Sequence, residues 1–107
     1  MDKMSKHITL KQLQEVIKET DYNPSLKDAY FYKLVEEVGE LGNVLRKNNF
    51  MDIPSSHSVT NEVKGSIEEE LYDVLHYVAA IANLHEIDLE ECVRLKREFN
   101  SKRKRTS

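Results

Sequence analysis

Turn-forming residues are scarce in this chain: three glycines and two prolines serve 107 positions. Sandwiches and barrels need such residues at every hairpin, so an all-β fold is excluded as the expectation and helices are left. The 3.6-residue recurrence of apolar side chains agrees. A chain this short hides only roughly 60–68% of its unfolded surface, so its core is expected to be finished by another copy. The expected architecture is all-α, a four-helix bundle-type subunit completed by homo-oligomerisation, as a homodimer or homotetramer. Residues 1–101 are read as one helical domain and 102–107 as a basic, frayed tail.

Four helical segments follow from periodicity and caps. The first starts after Thr9, carries Leu10, Leu13, Val16 and Ile17, and stops before Asp21, Asn23 and Pro24. The second opens with Ser25 and Asp28 as a capping pair and runs to about Lys47, with Leu34, Val38, Leu41 and Leu45 on one stripe. Residues 48–60 lack periodicity and read as an exposed connection. A third helix begins between Thr60 and Ser66 and ends at Leu84, with Ile67, Leu71, Val74, Leu75, Val78, Ile81 and Ala82 as its core stripe. Asp88 and Glu91 cap a fourth, which bears Leu89, Cys92, Val93 and Phe99.

Charge is unevenly distributed. The net charge is −3, yet Lys102, Arg103, Lys104 and Arg105 crowd the end, and between Ser66 and Glu91 eight acids meet no Lys or Arg. Naked phosphate would be repelled there, so the region faces water or holds a cation. With 39% hydrophobic and 33% charged residues the chain is too apolar for disorder and too charged for a membrane span. A lone cysteine, Cys92, read as a buried thiol, and the absence of a targeting segment fit a cytoplasmic location.

A helix advances about 100° per residue, which places each acid against its stripe. Glu37 falls about 60° from the Leu34 direction, at the edge of the buried face, with Glu40 about 60° further round. On the third helix Glu70 and Asp73 lie inside the arc widened by Tyr77 and Leu84, whereas Glu68 and Glu69 project elsewhere as solvated acids. One such Glu is ordinarily a surface group. Two i, i+3 pairs on two neighbouring helices would bring four carboxylates together, and these cannot all stay ionised out of water without protons or a divalent metal. Oxygen-only ligands favour Mg²⁺, Mn²⁺ or Ca²⁺ over zinc. On the fourth helix Lys96 lies among apolar directions, and Asn100 and Arg103 follow on its side, a line that could meet a polyphosphate.

Glu36-Glu37-Val38-Gly39-Glu40 reads as EExxE, and Glu70-Leu71-Tyr72-Asp73 as ExxD. In this order on consecutive helices they resemble the MazG-like, all-α nucleoside triphosphate pyrophosphohydrolases, over about Leu10 through Arg103. The resemblance implies an oligomeric helical bundle that hydrolyses a nucleoside triphosphate to the monophosphate and pyrophosphate. It makes Glu37, Glu40, Glu70 and Asp73 the Mg²⁺ ligands, with Mn²⁺ as a substitute, and Glu36 the residue that activates water. Tyr77, Lys96 and Asn100 match substrate contacts, and Arg103 extends their line. Two departures stand out. The 29 residues from Leu41 to Glu69 exceed the spacing of many members, so the stretch Met51–Lys64 could cover the site or touch a neighbour, and His85-Glu86 stands where relatives often carry Gly.

Other classes are weaker. A ferritin-like di-metal bundle needs two Glu-x-x-His elements, and only Asp73-x-x-His76 comes near, with His76 on the polar side of its helix. A non-catalytic protein that binds nucleic acid through the Lys-Arg tail lacks interleaved aromatics and has an acidic body, so nucleic acid is not an expected partner. Within the superfamily, phosphoribosyl-ATP or specialised dUTP or dCTP hydrolysis stays open. Base choice would draw on first-helix groups such as Gln12 or Gln14.

Overall fold

The structure, a computed structural model, describes residues 7–47 and 66–103. Helix α1 spans Leu10–Thr20, a short 3-10 turn Pro24–Leu26 leads into α2 at Lys27–Lys47, and α3 (Ile67–Leu84) and α4 (Leu89–Arg103) follow. No strand occurs among the described residues. The stretch Met51–Lys64, the proposed start of α3 before Ser66, and Lys104–Ser107 lie outside them.

Local chemistry explains most boundaries. Thr9 and Gln12 form a reciprocal capping box: the Gln12 amide N–H donates to Thr9 Oγ1 at 3.0 Å, and Thr9 N–H donates to Gln12 Oε1 at 2.8 Å. Ser66 Oγ accepts from Glu69 N–H at 3.2 Å at the start of α3. At α4, Asp88 Oδ1 accepts from the amides of Glu90 and Glu91 at 2.9 and 3.3 Å. The expected Ser25–Asp28 cap gives way to another solution. Asn23 Oδ1 takes both the Ser25 amide, at 3.2 Å, and its hydroxyl, at 2.6 Å, so this serine belongs to an Asx turn. Helix α4 continues to Arg103, which makes Lys102 and Arg103 helical where a frayed tail is expected from the sequence.

The chain divides into two compact units, one gathering residues up to Ser25 with those from Ala79 onward, the other comprising Leu26–Val78. In the first, Leu13 and Ile17 of α1 and Ala79, Ala80, Ala82 and Leu84 of α3 are buried, and α1 lies against α4. Two buried amides join these helices. Gln14 Nε2 donates to Asn83 Oδ1 at 3.0 Å and to the Ile87 carbonyl at 2.8 Å, Asn83 Nδ2 donates to the Gln14 carbonyl at 2.9 Å, and Gln14 Oε1 accepts from Leu89 N–H at 2.9 Å. The corner they secure is a Schellman turn: Ile87 N–H donates to the Ala82 carbonyl at 2.8 Å and Glu86 N–H to that of Asn83 at 3.1 Å. Glu86 takes the left-handed position, with φ 55°, that glycine usually fills. The His85-Glu86 departure therefore preserves the turn.

In the second unit Tyr30 is buried, edge-on to Tyr77 with ring centroids 6.4 Å apart. Much of the expected core is not. Val38, Leu71, Leu75 and Val78 are 37–53% exposed, and Phe31 and Val35 are more than half exposed. Helix α4 has no buried residue, so Cys92 is an exposed thiol rather than a buried one.

Candidate metal centre

Within the second unit, α2 supplies Glu37 and α3 supplies Glu70 and Asp73, and ligand oxygens of all three lie within 4.8 Å of one another. The i, i+3 spacing sets the two α3 carboxylates one turn apart on one flank. Glu70 is the most enclosed, only 9% exposed, and its Oε1 is buried with no hydrogen-bond partner. Burial, then the neighbouring Asp73 and Glu37 charges, push the Glu70 carboxyl above its ordinary value. An enclosed carboxylate oxygen with nothing to accept from is costly unless a proton or cation meets it. An all-oxygen donor set of this kind suits a hard divalent cation. The residues present fit a metal ion.

Other predicted residues take different places. Glu40 is exposed and lies outside the three-carboxylate group. Glu36 is exposed and ion-paired with Lys33, Nζ to Oε1 3.1 Å. Tyr77, half-buried, contacts the His76 ring edge-on at 4.9 Å as well as Tyr30. His76 meets the Tyr72 hydroxyl through Nδ1 at 3.4 Å, a surface contact as its position on the polar side suggests. Lys96, Asn100 and Arg103 are exposed on α4, in the first unit.

Three readings need correction. Both carboxylate oxygens of Glu68 are buried, so it is not an ordinary solvated acid. Gln12 is spent on the α1 cap, and Gln14, although it lines a recess of about 250 Å³, has both amide hydrogens and its oxygen committed internally. The Gln14 amide is therefore not available to read a base, and the Gln12 oxygen is taken by its cap. Lys33 was missed: the hydrogen bond to Glu36 is the main influence raising its pKa, with Tyr77 and Glu37 adding to it, so a cation stands beside the acids. Its i, i+3 and i, i+4 spacing to Glu36 and Glu37 was the available signal.

The profile of the MazG nucleotide pyrophosphohydrolase domain matches residues 27–105. The chain belongs to the MazG family. Two solved structures of iMazG from Vibrio DAT 722 resemble this MazG chain over most of its length. The Ctag form is 47% identical with a TM-score of 0.77 over 88% of this chain and 99% of its own. The Ntag form is 46% identical with a TM-score of 0.79 over 90% and 97%. No protein of curated function matches. The matched MazG segment contains all three clustered carboxylates as well as Glu36, Glu40, Tyr77, Lys96, Asn100 and Arg103. No described helix is long and apolar enough to cross a membrane.

Proposed function

We propose that this MazG protein is a metal-dependent nucleoside triphosphate pyrophosphohydrolase, converting an NTP or dNTP and water to the monophosphate and pyrophosphate. The observation that carries the reading is the Glu37–Glu70–Asp73 group, whose ligand oxygens lie within 4.8 Å of one another, together with an enclosed Glu70 oxygen that lacks a hydrogen-bond partner. Glu37, Glu70 and Asp73 would hold Mg²⁺ or Mn²⁺, and Glu40, which lies outside this group in the structure, is the further acid expected to join them. The bound ion supplies Lewis-acid polarisation of phosphate oxygens and a more acidic water. Glu36, next to Glu37 on α2, accepts the proton of the attacking water, with Lys33 fixing its carboxylate. Tyr77 contacts the substrate near the acids, and Lys96, Asn100 and Arg103 on α4 take the phosphate chain.

The functional unit is a homodimer or homotetramer acting in the cytoplasm. Exposure of Phe31, Val35, Val38, Leu71, Leu75 and Val78 on α2 and α3 supports the assembly, because apolar area of that extent is stabilised by a partner surface. A panel of ribo- and deoxynucleoside triphosphates and phosphoribosyl-ATP, assayed for pyrophosphate with and without Mg²⁺, tests the reading. Mg²⁺-dependent release that Glu37→Gln abolishes is expected. Release that persists in that variant rejects the assignment.

A further inference from the structure

On α4 an exposed aromatic ring sits between two cations. Lys96 Nζ lies 5.1 Å from the Phe99 ring centroid and Arg103 Cζ 5.4 Å from it. Phe99 is 51% exposed, so its ring is open to both cations in the single chain. The spacing is what a helix needs: positions 96, 99 and 103 follow at i, i+3 and i+7, one face over two turns. Two like charges on that face would ordinarily swing apart into water. The negative face of a ring attracts both, and each can remain close to the other at reduced cost. The two charged groups therefore cannot be farther apart than the sum of their distances to the ring, a span that one phosphate chain can bridge.

We infer that Phe99 is a positioning residue that holds Lys96 and Arg103 as a preformed cation pair for the polyphosphate chain of the substrate. This rests on the reading of Lys96 and Arg103 as phosphate contacts. A ring at 99 acts before substrate arrives, by reducing the number of orientations the two long side chains must give up on binding. The effect belongs to binding, not to the chemical step, so it separates from loss of the carboxylates.

The test replaces Phe99 in the full-length protein with mono-, di- and pentafluorophenylalanine, which keep shape and apolarity while draining the ring face of negative charge. Two quantities are read: KM and kcat for nucleotide hydrolysis with Mg²⁺, and calorimetric affinity for inorganic tripolyphosphate. KM should climb stepwise with fluorine, by about three- to tenfold at full substitution, while kcat moves less than about twofold. Phe99→Leu should match the pentafluoro protein, and Phe99→Trp should restore the wild-type KM. Tripolyphosphate affinity should fall in the same order. A flat KM and a flat tripolyphosphate affinity across the series overturn the inference even where hydrolysis is robust. If no nucleotide is hydrolysed, the enzymatic reading fails on its own, and the tripolyphosphate series alone decides whether Phe99 positions the cations.

Discussion

Helix α3 buries a polar side chain in each unit, and the two are treated in opposite ways. Asn83 sits in a saturated network: its amide and that of Gln14 find each other, two backbone carbonyls and one backbone N–H. Thirteen positions earlier, Glu70 is nearly as enclosed, yet one of its oxygens accepts nothing and its neighbours are two more acids. Both residues are desolvated, and only the first is compensated by the chain itself. A satisfied buried amide serves the fold. A buried acid among acids destabilises the ion-free chain, and it makes sense as a site that a cation completes.

The largest expected effect breaks the second unit's function without breaking its fold. Asp73→Asn and Glu37→Gln each keep size and helix propensity but remove a negative donor, and Mg²⁺-dependent pyrophosphate release should drop on the order of a hundredfold or more. Circular dichroism should show the same helix content as wild type. A variant with turnover within a factor of two of wild type would mean the acidic group is not the metal site.

The matching disruption in the first unit should do the reverse. Gln14→Leu fills the space but strands Asn83, the Ile87 carbonyl and the Leu89 amide, a loss of about 2–3 kcal/mol from one buried network. Thermal melts with and without Mg²⁺ should show a lowered midpoint and an unaltered increment from the metal. A lost metal increment would show that the amide network serves the site too.

The sequence already marked out one side of this contrast. Helical periodicity, the Thr9 and Asp88 caps and the two i, i+3 acid pairs are local patterns, and the helices and the grouping of three of the four expected carboxylates, Glu37, Glu70 and Asp73, follow from them. What was not legible depends on partners distant in the chain. The Gln14–Asn83 pairing spans 69 positions and leaves no periodic trace. Ser25 does not cap α2 as its position suggests, because Asn23, two residues away, competes for the same hydroxyl. The stripes of α2 and α3 look like core in the sequence because amphipathicity shows which face is apolar but not what covers it. Cys92 and Glu68 depart from expectation for the same reason: burial is set by packing that a helical wheel does not contain.

Acidity offers a finer probe of the uncompensated side. The Glu70 carboxyl is raised above its ordinary 4.5, so the folded protein holds this proton more tightly than the unfolded chain. Ion-free stability should therefore decline as pH rises from the ordinary carboxylate range through the raised one. Glu70→Gln does not titrate there, and in chelator it should be more stable than wild type at neutral pH, with the gap closing as pH falls below 4.5. Added Mg²⁺ should stabilise the wild type and not the variant. A gap independent of pH, read by urea melts from pH 4 to 8, would mean that Glu70 carries no uncompensated charge.

The smallest effect sharpens the comparison from the satisfied side, where one element of strain remains. Glu86 occupies a left-handed backbone position that costs a residue with a Cβ about 1–2 kcal/mol, and the Schellman bonds around it use only backbone atoms. Glu86→Gly keeps those bonds and releases the strain, against a greater loss of freedom on folding of about 0.5–1 kcal/mol. A net gain of roughly 0.5–1 kcal/mol should raise the melting midpoint by a few degrees and leave pyrophosphate release unchanged. Strain that helped function would show instead as lost turnover on its release. A lowered midpoint would mean that the Glu86 side chain itself holds the corner, and that the first unit's stability is not carried by its amides and backbone alone.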